Sequence, residues 1–300
     1  MDRWQPSELL AIKRAICERA VALGASAARV AQAERSDRDE EQFNAAFERG
    51  DLRTWGYDSD YARRAADPAS ILREARSIIS IAVPYRTEQP VRGPMQGRVS
   101  NYAWSNDYHS RMQRLLRTLA SELDERAGEP VSAVACDTRP LAERAFAARA
   151  GIGWVGKHTN LIAPPAGSFV FLGEIVTTLA LPPDPALKKT CGSCARCVPA
   201  CPTGALRGDY TMDASRCISD LTQRTDGIPQ EMRPLIGTWV WGCDICQDVC
   251  PPNERATVFG SPADEPASAA LAAPDLQRLL NLRSGEFKRT YARSAMGWRG

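Results

Sequence analysis

Eight of the ten cysteines in this 300-residue chain fall between Cys191 and Cys250. They read Cys191-x2-Cys194-x2-Cys197-x3-Cys201-Pro202, then Cys217, then Cys243-x2-Cys246-x3-Cys250-Pro251. The first run has the spacing of bacterial ferredoxins, where three closely spaced thiolates hold three corners of a 4Fe-4S cube and the prolyl cysteine reaches a second cube. The pattern therefore predicts two cubes with crossed ligands. Cys191, Cys194, Cys197 and Cys250 are expected on one, and Cys201, Cys217, Cys243 and Cys246 on the other. A zinc ribbon explains two Cys-x2-Cys pairs but neither the third cysteine at the same interval nor the two Cys-Pro endings. Disulfides need an oxidising compartment, and the N-terminal stretch is a charged amphipathic pattern without the apolar core of a signal peptide.

With 44% hydrophobic residues and no run approaching the ~18 apolar residues of a membrane helix, a soluble cytoplasmic protein with one large and one small domain is expected. The net charge of +2 excludes a generally basic, polymer-coating protein. Only the last thirty residues are locally basic, with Arg278, Arg283, Lys288, Arg289, Arg293 and Arg299 against Asp275 and Glu286. Such a tail permits nucleic-acid contact and equally fits a solvated helix face.

Along the chain, residues 6–23 place Leu9, Leu10, Ile12, Ile16, Val21 and Leu23 at mostly helical intervals. Cys17 on this helix reads as a small core hydrophobe. Residues 36–50 read as a loop or exposed helix, and the apolar run from Ser77 to Tyr85 as a buried strand. A helix from about Tyr108 to Arg126 carries Met112, Leu115, Leu116, Leu119 and Leu123 on one face, with His109, one of two histidines, at its start. A strand, VSAVA, then stops at Cys136-Asp137-Thr138, and Pro140 opens a further helix. Asp137 so placed is either a ligand-facing group at a sheet edge or a helix cap. The glycines at 151, 153 and 156 match neither the dinucleotide nor the phosphate-loop spacing, but they let backbone approach a large ligand beside Lys157, His158 and Thr159. Strands over about 160–163 and 169–181 would finish the sheet.

The strings CDTRPLAERAFAARAGIGWVGKHTNLI, GSFVFLGEIVTT, CGSCARCVPACPTGAL, RCISDLT and GCDICQDVCPPN, with SNYAWSNDYH before them, together resemble the epoxyqueuosine reductase family. The resemblance extends from about Tyr61 to Pro251. It implies an α+β chain: a nitroreductase-like, cobalamin-binding sandwich over 1–185, a ferredoxin-like module with two 4Fe-4S clusters over 186–256, and a linker with a short helical tail over 257–300. The implied reaction reduces epoxyqueuosine at the tRNA wobble position to queuosine, the last step of queuosine biosynthesis, consuming two electrons and two protons and releasing water. Clusters pass electrons singly, so a further cofactor must carry the step at carbon.

By the same resemblance Asp137 is the proton donor. Arg63, Ser100, Asp137, Lys157, Thr159, Asn160, Ser219, Cys243 and Asp244 are cofactor contacts, Arg139 and Arg224 are tRNA phosphate contacts, and His109 and His158 are pocket residues rather than cobalt ligands. The partners implied are tRNA carrying epoxyqueuosine and an external low-potential electron donor, with no membrane and a monomeric chain. Family members usually continue into helical repeats that grip tRNA, whereas this sequence stops at GWRG. Either a piece of a longer protein or a short member is expected, with altered tRNA affinity. Two other readings share parts of the pattern. A cobalamin-dependent reductive dehalogenase pairs the same cofactors, and an electron-carrying ferredoxin would leave the roughly 190 residues before the clusters without a role.

Overall fold

The computed structural model of the protein describes residues 3–259 and 268–298. Residues 260–267 of the expected linker, and Arg299 of the basic tail, lie outside the described residues. The chain divides into two compact units that interleave in sequence. The first holds Met1–Pro84, His109–Gly156 and Asn160–Gly192, and the second holds Tyr85–Tyr108, Lys157–Thr159 and Ser193–Gly300.

The first unit opens with α1 (Pro6–Ala22), whose proline at the first turn and reciprocal Gln5 and Glu8 bonds start the helix. Its Leu9, Ile12, Ile16 and Ala20 form the buried face. Strand β1 (Ala27–Gln32) leads to α2 (Asp37–Glu48), which is capped by Ser36 and buries no residue, and to α3 (Ser59–Ala65), capped by Asp58. Strand β2 (Ser77–Pro84) is buried at every position, as its unbroken apolar text predicts. Past β3 (Arg98–Val99), which belongs to the second unit, come α4 (Tyr108–Ala127), β4 (Ser132–Ala135), α5 (Glu143–Arg149), the short antiparallel pair β5 (Trp154–Val155) and β6 (Leu161–Ile162), and β7 (Val170–Thr177).

The main sheet has the order β1-β2-β7-β4, with every neighbouring pair antiparallel. Alternation along the strands gives the sheet two buried faces. Gly173 of β7 meets Met112 and Leu116 of α4 on one face. On the other, Ile78, Ala135 and Val176 pack with Phe146 of α5. A mixed α and β architecture is thus present.

In the second unit the cysteines punctuate four-residue helices: α6 (Cys197–Ala200), α7 (Ile218–Leu221), α8 (Arg233–Ile236), and, after β8 (Trp239–Trp241), α9 (Ile245–Asp248) and α10 (Pro251–Glu254). Strand β8 pairs in parallel with β3. A core of Val99, Trp104, Trp241, Leu271, Tyr291 and Met296 binds α11 (Ala269–Ala272), α12 (Leu276–Leu280) and α13 (Ser284–Tyr291) to that pair. The basic tail is thus folded into this unit, and Arg278 pairs with Glu286 at 2.7 Å. Among the described residues no helix is long and apolar enough to cross a membrane.

The two glycines that open the GIGWVG stretch face protein backbone. A Cβ on Gly151, which has φ +80°, would stand 2.3 Å from the Pro185 carbonyl oxygen, and one on Gly153 would stand 2.1 Å from that of Ile162. Neither backbone atom can swing aside, so both positions exclude a side chain. Gly153→Ala is expected to lower stability by about 1–3 kcal/mol, seen as a lower denaturant midpoint at unchanged slope.

Candidate functional site

Strand β4 runs out at Ala135, and the chain reverses through Cys136-Asp137-Thr138. Asp137 has φ +57°, in the left-handed region, and the Thr138 amide donates to the Cys136 carbonyl at 2.5 Å. This three-residue turn around a non-glycine residue is strained by about 1–3 kcal/mol and persists only where the surroundings hold it. Two contacts hold it. The Asp137 amide donates to Glu143 Oε1 at 2.5 Å, and the Asp137 carboxylate Oδ2 lies 3.1 Å from His109 Nε2 at the start of α4. The Asp137 side chain is 61% exposed, so the turn presents its carboxyl outward. The capping alternative fails: α5 begins at Glu143 with Ala142 at its cap position and no side-chain cap bond. The helix starts three residues after Pro140 because the Ala142 amide is bound to the Ala65 carbonyl at 2.8 Å.

Beneath the turn lie two further carboxyls. Glu174 of β7 is wholly buried and stands in register with Ala135 of β4 and Ser80 of β2. Its pKa is driven well above the ordinary carboxyl range by burial and by the adjacent Glu143. Glu143 is pushed up to about 7, chiefly by burial of its carboxyl group, with the Asp137 amide working against that. Tyr61 of α3 feels both Glu143 and Asp137, and its phenol is raised, first by burial. Tyr61 stacks on Tyr57 with ring centroids 4.0 Å apart.

In the second unit, burial pushes the thiols of Cys217, Cys243 and Cys246 up. Cys201 and Cys217 act electrostatically on both Cys243 and Cys246, and Cys201 on Cys217, so these four stand together. Among the described residues no three Cys, His, Asp or Glu side chains converge on one point as a single ion requires. A cube takes one thiolate at each of four corners, so its ligands stand apart. Four cysteines are the donor set that a 4Fe-4S cluster takes.

The remaining expected contacts are spread over both units. In the first, Arg63 is exposed on α3 and bonded to Asp60 at 2.5 Å, and the Asn160 carbonyl accepts from the Gly156 amide at 2.9 Å. Exposed Arg139 donates to the carbonyls of Val134 at 3.3 Å and Ile71 at 3.2 Å. In the second, Ser100 Oγ and the Asn101 amide both donate to the buried carboxylate of Asp244. Burial pushes Asp244 up to about 7, against those two bonds. Thr159, with φ +65°, donates its hydroxyl to the Met212 sulfur at 3.2 Å, while Lys157 is half-buried. Ser219 Oγ accepts from the Gln223 amide at 3.0 Å. The Arg224 guanidinium is 11% exposed and committed to Asp220 at 2.8 Å and to the Ser215 carbonyl.

Sequence reasoning underweighted His109, whose partner is 28 residues away, and missed Glu143 and Glu174. A glutamate inside the otherwise apolar strand text FLGEIV was the available signal. Replacing Ser100 with Ala removes one of three donors to a fully buried carboxylate, the others being the Asn101 amide and, at 3.4 Å, the Gln247 side chain, so Ser100→Ala is expected to cost about 1–3 kcal/mol in chemical denaturation.

Residues 65–138 match the family described as "Epoxyqueuosine reductase QueG, DUF1730", and residues 190–253 match the 4Fe-4S double cluster binding domain. An epoxyqueuosine reductase of a Synechocystis species is 38% identical over 259 residues, covering 82% of this chain and 88% of that protein. One from Bacillus anthracis is 37% identical over 82% of this chain, which spans 66% of that longer protein. Among solved structures, an epoxyqueuosine reductase holding an epoxyqueuosine-modified tRNA-Tyr stem loop superposes with a TM-score of 0.90 at 31% identity, covering 97% of this chain and 78% of that one. The Bacillus subtilis enzyme, captured with its aspartate catalytic loop swung out of the active site, gives 0.88 at 31% identity with the same coverage. Identity at this level over most of both chains, with a 4Fe-4S double cluster domain in place, means that the chain belongs to the epoxyqueuosine reductase family.

Proposed function

We propose that this chain reduces epoxyqueuosine in tRNA to queuosine, with Asp137 delivering the proton to the epoxide oxygen. The observation that carries the reading is the strained turn at the end of β4, which presents a carboxyl outward while His109 and Glu143 fix it from behind. Membership of the family makes the protein an oxidoreductase. The relatives include an enzyme bound to an epoxyqueuosine-modified stem loop and one with an aspartate catalytic loop, and both features fit this turn.

Opening the epoxide and forming the alkene takes two electrons and two protons and releases one water. The exposed Asp137 carboxyl can reach a ligand that covers the turn, and it supplies a proton to the oxygen as the C–O bond breaks. His109 Nε2, on Oδ2, orients the carboxyl and can return a proton to it for the second transfer. Glu143 keeps the turn in this conformation.

In the second unit, Cys201, Cys217, Cys243 and Cys246 would hold one 4Fe-4S cluster, and Cys191, Cys194, Cys197 and Cys250 would hold the other. Loading with iron would remove the protons that burial otherwise keeps on Cys217, Cys243 and Cys246. Cobalamin, when bound, supplies the two-electron chemistry at carbon that clusters lack. The residues present fit it in one respect: the candidate acid faces outward and uncovered, as a carboxyl serving a large planar ligand must. By the family resemblance, Arg63, Ser100, Asp137, Lys157, Thr159, Asn160, Ser219, Cys243 and Asp244 would contact that ligand. A nitroreductase-like sandwich over 1–185 and a ferredoxin-like module over 186–256 are the domains of this reading. Arg139, its guanidinium on backbone carbonyls at an exposed position, is a phosphate contact whose contribution falls with salt. Arg224 would have to leave Asp220 to serve in that way. An external low-potential donor, a cytoplasmic location and a monomeric chain complete the reading.

The direct test is anaerobic. Reconstituted protein with cobalamin and a strong reductant is given a stem-loop carrying epoxyqueuosine, and the nucleoside products are separated. Queuosine is expected, and an unchanged epoxide overturns the reading. His109→Gln should lower kcat by about 10–100-fold with little change in KM, read from the same assay. Cys217→Ala should lower bound iron from about eight to about four atoms per chain, because one cube is lost and the other keeps its ligands.

A further inference from the structure

The groups behind Asp137 form an arrangement with a function of its own. Glu174 has a fully buried carboxyl, and neither oxygen receives a conventional hydrogen bond among the described residues. The group facing it is another carboxyl, that of Glu143 on α5. Ser80, in register across the strand pair, adds a third interior oxygen without a hydrogen-bond partner among the described residues. Two carboxyls in contact away from water attract each other only when one of them carries a proton, because a pair of adjacent negative charges inside a protein is strongly unfavourable. The outer of the two accepts the amide of a turn that would otherwise relax.

We propose that Glu143 and Glu174 are a proton-sharing pair that clamps the Asp137 turn, with Glu143 the carboxylate that accepts the Asp137 amide and Glu174 the protonated partner that keeps it inside. Glu143 is thereby a positioning residue for the acid. The inference rests on the reading of Asp137 as proton donor, but the clamp itself is a property of the protein alone.

The surroundings fix its direction with pH. Besides Glu174, the groups facing Glu143 are Asp137, which disfavours a second charge, Arg144 and His109, which favour it, and Tyr61 of α3. Among the described residues, the charged group acting on Glu174 is Glu143. Both carboxyls are raised, so the folded chain keeps protons that the unfolded chain gives up above its ordinary carboxyl range. Their contribution to stability is therefore full at acid pH and declines as pH rises. When the shared proton leaves to solvent, the pair carries two charges, Glu143 is driven outward, and the turn loses its acceptor.

The test is hydrogen exchange of the Asp137 amide in the cluster-loaded protein without cobalamin or substrate, expressed as protection relative to the free chain between about pH 6 and about pH 9. In the unsubstituted protein, protection is expected to fall by about tenfold or more toward alkaline pH. Glu174→Gln, which keeps a donor toward Glu143 but has no proton to lose, should hold protection level across that range. Glu143→Ala should lose it at every pH and, in the turnover assay, lower kcat with KM little changed. A pH-dependent fall that persists in Glu174→Gln overturns the proposal, as does protection unaffected by Glu143→Ala. Should Glu143→Ala fail to fold, the comparison of unsubstituted protein with Glu174→Gln still decides. If the exchange pattern holds but no epoxide is reduced, the clamp stands and the functional reading fails.

Discussion

One backbone conformation makes demands on the rest of the first unit. A left-handed aspartate between a strand and a helix is unfavourable for an L-residue, and the one bond across the turn, from the Thr138 amide to the Cys136 carbonyl, is joined by contacts from its flanks. Stability has to come from the flanks. The main sheet fixes where β4 ends through its pairing with β7, and α5 packs its Phe146 on Ile78 and Val176, which sets Glu143 under the turn. Helix α4, seated on Gly173 where no side chain intervenes, brings His109 to the carboxyl. Sheet, α4 and α5 together aim one carboxyl.

The second unit has a different source of order. Its helices α6 to α10 are a single turn each, too short to be stable alone, and they alternate with cysteines whose buried thiols crowd one another. The apolar clusters around Trp241 and around Ile218 and Met232 supply part of the stability. Metal binding by deprotonated thiolates would supply more, since loading exchanges crowded thiol protons for iron. In the proposed reading, electron storage and the order of these helices would then depend on the same cysteines.

Much of this was legible in the sequence, for physical reasons that differ by element. The cysteine spacing is imposed by the shape of a cube and survives without knowledge of the fold. The apolar run of β2 and the three- and four-residue spacing on α1 and α4 report burial directly. Strand β1, by contrast, reads AARVAQ, with little strand propensity, and exists because β2 offers it a partner. The GIGWVG glycines looked like room for a ligand, and for Gly151 and Gly153 the room is taken by Pro185 and Ile162. Arg224 looked like a phosphate contact, but nothing in its own text shows the buried partner Asp220 that holds it. The His109, Glu143 and Glu174 constellation joins residues from three elements, brought to Asp137 by the register of β7 on β4 and by the packing of α4 and α5 on the sheet.

The central claim is that Asp137 supplies the proton that opens the epoxide. Its most direct test is a single-turnover experiment with both clusters and cobalamin reduced beforehand, so that electron supply does not limit the rate. Unsubstituted protein and Asp137→Asn are mixed with the epoxyqueuosine stem-loop, and queuosine formation is followed by rapid quench. The account predicts conversion by the unsubstituted protein and a rate about 100-fold or more lower in Asp137→Asn, at unchanged RNA binding. Equal rates in the two proteins would contradict it.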